Sequence, residues 1–350
     1  MGTFSHHTSR GKDSAACLIS VVMGVHNGER FLQQSVDSIL AQSFGDYEFI
    51  IVDDGSTDGT AAILESYTDP RISVIHQSNR GLTEVLQTGL EVARGEYFAR
   101  QDSDDISLPT RFEHQLDYLR SHPDVLAVGT SCVEIDEEGV LRRHLDHPLD
   151  DIGCKERLAI SSPLPHGSVI VRMETLRELG GYRKQFTLAQ DRDLWLRLSE
   201  RGKLANLPEH LYLWRRSPEA IGESRRPEQR EMSDFALDLA IQRLRHGVDD
   251  LGCQLAATNG KRVLARHQFY LGFGLLSKRG ILLALRLMLG TLVADGSDPS
   301  RWYSLIWGVP VRIVRNTYES LLIRLSSMIR GTAHSQPSPG VKLPAPKRDA

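Results

Sequence analysis

The sequence predicts an α/β protein built on a parallel, doubly wound sheet, followed by a C-terminal helical region. Short apolar runs of strand length alternate with amphipathic segments from residue 18 onward, the pattern of βαβ units. Two of those runs lead straight into aspartates, Asp53-Asp54 and Asp102-Ser103-Asp104-Asp105. Beyond Pro227 the apolar spacing becomes wholly helical.

The bulk composition is that of an ordinary globular chain with room for a large core. Its 350 residues suggest two domains, or one with a long appendage. With 42 basic and 45 acidic residues the formal charge is −3, so nothing global points to a nucleic-acid partner. Cys17, Cys132, Cys154 and Cys253 lie far apart with no C-x-x-C pair, which argues against zinc and a disulfide framework and for a reducing compartment. Residues 1–16 are polar and lack an apolar run, so they read as a disordered N-terminus rather than a signal peptide or anchor.

Leu18 to Val25 is the first strand, ending at His26-Asn27-Gly28, and Phe31, Leu32, Val36, Ile39 and Leu40 follow at helical spacing. No G-x-G-x-x-G lies between them, so the dinucleotide fingerprint is absent. Glu48 to Val52 is a second strand, with a helix starting at Ala61, and Arg71 to His76 a third, with Leu82, Val85, Leu86, Leu90 and Ala93 marking its helix. Tyr97 to Ala99 leads to the larger acidic cluster, and Leu108-Pro109-Thr110 opens a helix carrying Phe112, Leu116 and Leu119. Val125 to Val128 reads as a strand, Glu134 to Arg157 as a charged connection, and Val169 to Val171 as another strand. Leu194, Trp195 and Leu198 then share one side of a helix whose first turn holds Asp191.

Asp102, Asp104 and Asp105 repel one another unless a cation or helix-end N–H groups offset their charge. At the carboxyl end of a strand, where open α/β sheets bind ligands, they read as an oxygen-only site for Mg²⁺ or Mn²⁺. The plainer alternative is a chance Asp-x-Asp with Asp105 capping the next helix. Asp53 and Asp54 fall at another strand end, as turn chemistry or as acceptors for a nucleobase N–H or ribose hydroxyl.

Over residues 18 to 217 the chain resembles glycosyltransferase family 2, inverting enzymes of the GT-A fold. The ordered blocks that carry this are Ile19-Ser20-Val21-Val22 with Asn27, Val52-Asp53-Asp54-Gly55-Ser56-Thr57-Asp58, Asn79-Arg80-Gly81-Leu82, Gly95 to Arg111, Leu179-Gly180-Gly181-Tyr182, and Asp191-Arg192-Asp193-Leu194-Trp195-Leu196-Arg197. The resemblance implies that Asp53 and Asp54 help bind a nucleotide sugar, Asp54 at the base. It makes Asp102 and Asp104 a D-x-D, with Asp104 the direct metal ligand, and Asp191 the catalytic base. It places His166 and Arg215 along the donor diphosphate or acceptor site, though each also reads as a turn histidine or a surface arginine. Gly24 and His26 replace the family's usual proline and aromatic, and Gln190 replaces an acid before the base. No Gln-x-x-Arg-Trp follows Trp214-Arg215, so a non-processive enzyme is implied.

The domains expected are a catalytic one over residues 17–226, a basic amphipathic helical region over 227–330 and a disordered tail over 331–350. Met232, Phe235, Leu239 and Leu244 mark the first C-terminal helix. From Lys261 to Arg330 there are 11 Lys/Arg and 3 Asp/Glu, an excess of +8. Ile281 to Ala294 is too short to span a bilayer, so these helices either lie on an anionic membrane surface or pack on the catalytic domain. The expected partners are a nucleotide-sugar donor, a saccharide or lipid-linked acceptor and an anionic membrane, in a cytoplasmic, peripheral enzyme. A nucleotidyltransferase and a binding protein without turnover are the competing classes; His26-Asn27-Gly28-Glu29 is a poor match to the basic, glycine-rich loop of the former.

Overall fold

The structure, a computed structural model, describes residues 17–216, 226–246 and 249. The expectations for residues 1–16, for the helices beyond 246 and for the 331–350 tail lie outside the described residues. These fall into two units, the division coming after Ala236, and the second contributes little more than the end of one helix.

Strand β1 (Ile19–Val25) is central to the parallel half of the sheet, paired in parallel with β2 (Tyr47–Asp53) on one side and β4 (Tyr97–Asp102) on the other. β3 (Ile72–His76) extends β2 in parallel. Because β1 is buried on both faces, it reads as a continuous apolar run. Ile19, Val21, Met23 and Val25 join a core with Leu32, Val36 and Ile39 of α1 (Leu32–Leu40) and Leu64 of α2 (Thr60–Glu65). The opposite face meets α3 (Leu82–Val92), whose Gly89 lies directly against Val22. Helices thus cover both faces, as a doubly wound sheet requires.

Register decides where the acids go. Val25 pairs with Asp53 and Gly24 with Asp102, so both clusters lie beside the carboxyl end of the central strand. Short β5 (Ile106–Ser107) and α4 (Arg111–Ser121) follow the second cluster.

The other half of the sheet is mixed. β8 (Ile170–Arg172) runs antiparallel to β4 and to β6 (Val125–Ile135), and β6 pairs in parallel with β9 (Lys203–Arg215), which meets β5. The stretch expected to be a charged connection is instead the end of β6, then β7 (Leu141–Leu145) and α5 (Asp151–Leu158). Its charges are used in pairing: Arg143 of β7 bonds Glu134 of β6 at 2.7 Å. A 3₁₀ turn, His166–Ser168, precedes β8, and α6 (Met173–Glu178) follows it. Helix α8 (Arg226–His246) confirms the first C-terminal helix. Among the described residues no helix is long and apolar enough to cross a membrane.

Helix α7 (Gln190–Ser199) departs from the one-sided pattern expected, since Arg192, Asp193, Leu194, Trp195, Leu196, Arg197 and Leu198 are all buried. Its buried charges form one cluster. Asp193, 0% exposed, receives Arg183 and Arg197, each Nε at 3.0 Å from Oδ2. Arg197 also donates to the carbonyls of Leu179 at 3.0 Å and Gly181 at 2.8 Å. Gly180 and Gly181 have φ of +75° and +69°, a conformation side chains resist, and the cluster ties this turn to α7. Asp193→Ala would leave two guanidinium groups without their counter-ion. A loss of about 3–5 kcal/mol in urea unfolding is expected, and a change under about 1 kcal/mol would show that the cluster does not hold α7.

Candidate active site

The acidic loop after β4 is fixed through its backbone, which leaves selected carboxylates for other work. Gln101, fully buried, donates to the carbonyls of Asp102 at 3.1 Å and Asp105 at 3.0 Å, and accepts from Ser107 at 2.6 Å. Ser35 of α1 donates to the Asp102 carbonyl at 2.7 Å. Arg111 of α4 donates to the carbonyls of Arg100 and Gly167, at 3.1 Å and 2.9 Å, tying β4 to the 3₁₀ turn.

The three acids have separate roles. Asp105 is 1% exposed and accepts from the Arg215 N–H at 2.7 Å, so it locks the loop to β9 rather than capping α4. Asp102 and Asp104 are only partly buried. Asp102 Oδ1 pairs with the Arg100 guanidinium at 2.7 Å, while Oδ2 lies against Gly167, where a side-chain carbon would collide with it. Burial, and then the Asp102 charge, push the Asp104 carboxyl up to about 6. Burial, with Asp104 and Asp102 beside it, raises Asp105 well above the usual carboxylate range.

This donor set fits a hard divalent cation. Asp102 and Asp104 offer oxygen only, and their mutual repulsion is what a cation would relieve. Among the described residues no cluster of three His, Cys, Asp or Glu could complete a shell.

At the end of β2, Asp53 and Asp54 shape the neighbouring loops. Asp53 accepts from the Ser56 N–H at 3.0 Å and lies 2.9 Å from His76 Nδ1. Asp54 accepts from Gln77 Nε2 at 2.8 Å and from the N–H groups of Arg80 and Gly81, at 2.9 and 2.7 Å. Both carboxylates are buried; that of Asp54 holds the 77–81 segment against the strand end, and the Asp53 main-chain carbonyl accepts from the Gln77 N–H at 3.0 Å.

Arg215 is no surface arginine. It is 1% exposed, donates to the Asp104 carbonyl at 2.8 Å, to those of Asp136 and Glu137 and to Gln34, and lies over the Phe31 ring. These contacts make it a brace of the acidic loop.

Asp191 and His166 face the same region from the other side. Ala189, before α7, takes left-handed φ of 58°, a strained geometry for alanine of the kind that collects at functional sites. Asp191 Oδ2 accepts from the Ser162 hydroxyl at 2.6 Å, and burial pushes its carboxyl up. His166 Nε2 lies 2.9 Å from the Tyr182 hydroxyl, with its ring against Trp195. Burial, then the Arg100 charge, hold His166 well below its ordinary pKa, so it is neutral. Both Asp191 and Asp102 act on the Tyr182 phenol, which burial already pushes up. The 162–168 segment joins the two ends, with Ser162 on Asp191 and Gly167 on Asp102.

The structure therefore brings Asp102, Asp104, His166 and Asp191 around one region and gives Arg215, Asp53 and Asp54 bracing contacts. Arg100, Gln101, Ser162 and Tyr212, whose hydroxyl accepts from the Asp102 N–H at 3.2 Å, were not singled out from sequence. A buried arginine in an apolar strand was a legible signal for Arg100; Ser162 lies in a loop with none.

A family model described as Glycosyl transferase family 2 matches residues 20–180. The putative glycosyltransferase EpsE of Bacillus subtilis is 37% identical over 230 residues, covering 64% of this chain and 79% of that protein. The amylovoran biosynthesis glycosyltransferase AmsE of Erwinia amylovora is 31% identical over 215 residues, covering 59% and 80%. Among solved structures, S. aureus TarS in complex with UDP-GlcNAc superposes with a TM-score of 0.54 at 18% identity, covering 79% and 81% of the two chains. The mannosyltransferase PcManGT of Pyrobaculum calidifontis, in complex with GDP-Man and Mn²⁺, gives 0.51 at 19%, covering 84% and 80%. The likeness to these structures is one of fold, and the fold is GT-A.

Replacing Asp54 with alanine should free the loop it holds. The Arg80 and Gly81 amides lose their acceptor, and stability should fall by about 1–3 kcal/mol. Hydrogen exchange at those amides should quicken; unchanged exchange would show that the loop is held by other contacts.

Proposed function

The chain belongs to glycosyltransferase family 2, and from that premise we propose that it moves a sugar from a nucleoside-diphosphate sugar to an acceptor hydroxyl with inversion, aided by a divalent cation. What supports this reading is that two partly buried carboxylates, Asp102 and Asp104, follow β4 with Asp102 against Gly167, while a third, Asp191, is bonded to Ser162 of the same 162–168 segment. A nucleotidyltransferase would share the sheet but not this third carboxylate placed for proton removal.

Asp102 and Asp104 would hold Mg²⁺ or Mn²⁺, Asp104 directly. When bound, the cation would offset charge on the donor diphosphate as it leaves. Asp53 and Asp54 keep the 77–81 loop in place to receive the nucleoside, and Arg215 keeps Asp104 and Asp105 in register. Neutral His166, with Tyr182, can hydrogen-bond donor or acceptor without adding charge. Asp191 takes the acceptor hydroxyl's proton as that oxygen bonds to the anomeric carbon. The bond from that carbon to the diphosphate oxygen breaks, and its electron pair leaves with the nucleoside diphosphate. One displacement inverts the centre.

UDP- and GDP-sugars are the donor classes to test first, since TarS and PcManGT were solved with UDP-GlcNAc and GDP-Man. A hexosyl or N-acetylhexosaminyl transfer that is non-processive, in assembly of a surface polysaccharide or glycolipid, fits the name of AmsE and the missing Gln-x-x-Arg-Trp. The +8 excess over residues 261–330 supports a cytoplasmic enzyme peripheral on an anionic membrane that carries a lipid-linked acceptor.

Two variants test the assignments. Asp104→Ala should abolish Mn²⁺-dependent binding of UDP or GDP, read by calorimetry, because the diphosphate would face Asp102 and Asp105 without a cation. Undiminished binding would remove the metal assignment. Asp191→Asn should cut transfer by roughly 10²–10⁴-fold with donor affinity unchanged. Near-normal turnover would end the base assignment, and lost donor binding would move Asp191 to the nucleotide site.

A further inference from the structure

The geometry points to Ser162 as the positioning residue of the base: its hydroxyl fixes Oδ2 of Asp191, so that the other carboxylate oxygen is presented to the acceptor. This rests on the reading of Asp191 as general base. The 2.6 Å separation lies in the range of a hydroxyl bonded to an ionised carboxylate. Ser162 reaches Asp191 from a loop 29 positions earlier in the chain, so the bond fixes the carboxylate relative to the 162–168 segment and not only to its own helix. No side chain caps the start of α7, so the contact is not part of a capping network.

The same bond adjusts basicity. Burial raises the carboxyl, and the largest opposing influence is the Ser162 hydroxyl, ahead of the Arg192 N–H and the Arg192 charge. The remaining groups facing this carboxylate are few. Arg192 lies on its own helix, with its guanidinium turned to the Leu158 carbonyl and to Ser233. Tyr182 approaches from the glycine turn and is uncharged, with neutral His166 bonded to it and Arg100 and Asp102 beyond. None of these replaces a hydroxyl donor on Oδ2. During transfer the acceptor's proton goes to the other oxygen of Asp191 while Ser162 keeps its own, so no co-reactant is needed.

The test uses the full chain labelled with carboxyl-¹³C aspartate. The resonance missing from Asp191→Asn identifies Asp191, and its titration midpoint should rise by about 1–2 pH units in Ser162→Ala, the worth of one hydrogen bond to a charged group. Ser162→Thr keeps the hydroxyl and should return the midpoint. In release of UDP from UDP-GlcNAc or GDP from GDP-Man, at saturating donor and Mn²⁺, the acid limb of kcat should move by the same amount with KM for donor unchanged. An unmoved midpoint in Ser162→Ala, or one that Ser162→Thr fails to restore, overturns the assignment. So does an activity loss equal at every pH, which marks a structural role. The two readings fail separately: an acid limb that survives in Asp191→Asn removes the base itself, whereas one lost there but unmoved in Ser162→Ala removes only Ser162.

Discussion

Like charges held side by side at the end of β4 are the constraint on which the rest of the structure depends. Asp102, Asp104 and Asp105 would spread apart in a mobile loop, and the fold prevents this by bonding their backbone rather than neutralising every carboxylate. Gln101 alone engages two carbonyls of the loop, Ser35 shares one of them, and Arg215 takes the carbonyl of Asp104. Asp105 is given up to structure, to the Arg215 N–H, and one oxygen of Asp102 pairs with Arg100. The energy of that network therefore goes into leaving Asp102 and Asp104 close together and partly solvated, a state a flexible loop would not hold.

Buried guanidinium groups extend the same principle to the rest of the cleft. Arg111 ties β4 to the turn at Gly167, Arg215 ties β9 to α1 and the hairpin after β6, and Arg197 ties the Gly180-Gly181 turn to α7. A planar fork with several donors can satisfy carbonyls from two or three elements at once, which a lysine cannot. The cost is desolvation of each charge, which is tolerable only because carbonyl dipoles or a carboxylate face it. The side chains proposed for catalysis accordingly stand on or beside elements tied by these bonds, and the left-handed Ala189 directly precedes one of them, α7.

How much of this was legible follows from which interactions are local. Period-two and period-3.6 patterns located β1 to β4, their helices and the aspartates at the strand ends, because those signals arise within a few residues. β9 escaped although it is the longest strand, at 13 residues, because Pro208 and Glu209 interrupt its alternation where the pairing with β6 shifts register. The charges of residues 134–157 suggested a connection, since pairs such as Arg143 with Glu134 become visible only when the strands are side by side. The bracing contacts of Arg215, a residue the family resemblance placed at the donor or acceptor site, escaped for the same reason: its partners lie 78 to 181 positions away. The motif positions of Asp102, Asp104 and Asp191 came from ordered blocks, whereas Ser162 belongs to no block and is defined by a single contact.

The proposed chemistry asks two anionic groups in one cleft for opposite properties, and the residues between them show how that is arranged. Asp102 and Asp104 must stay anionic to hold a cation, while Asp191 must be basic enough to accept a proton. Burial raises Asp104 as well as Asp191, so a bound cation would be what keeps the first anionic, while the bond from Ser162 limits the rise of the second. Between the two ends lie His166 and Tyr182, bonded to each other and both uncharged. An imidazolium in that position would pair with a carboxylate and weaken the base. Arg100 opposes this, since its buried charge pairs with Asp102 on one side and disfavours a proton on His166 on the other. A single buried guanidinium thus pairs with Asp102 and disfavours charge on His166, so that in the proposed chemistry Asp191 is the group left to accept a proton.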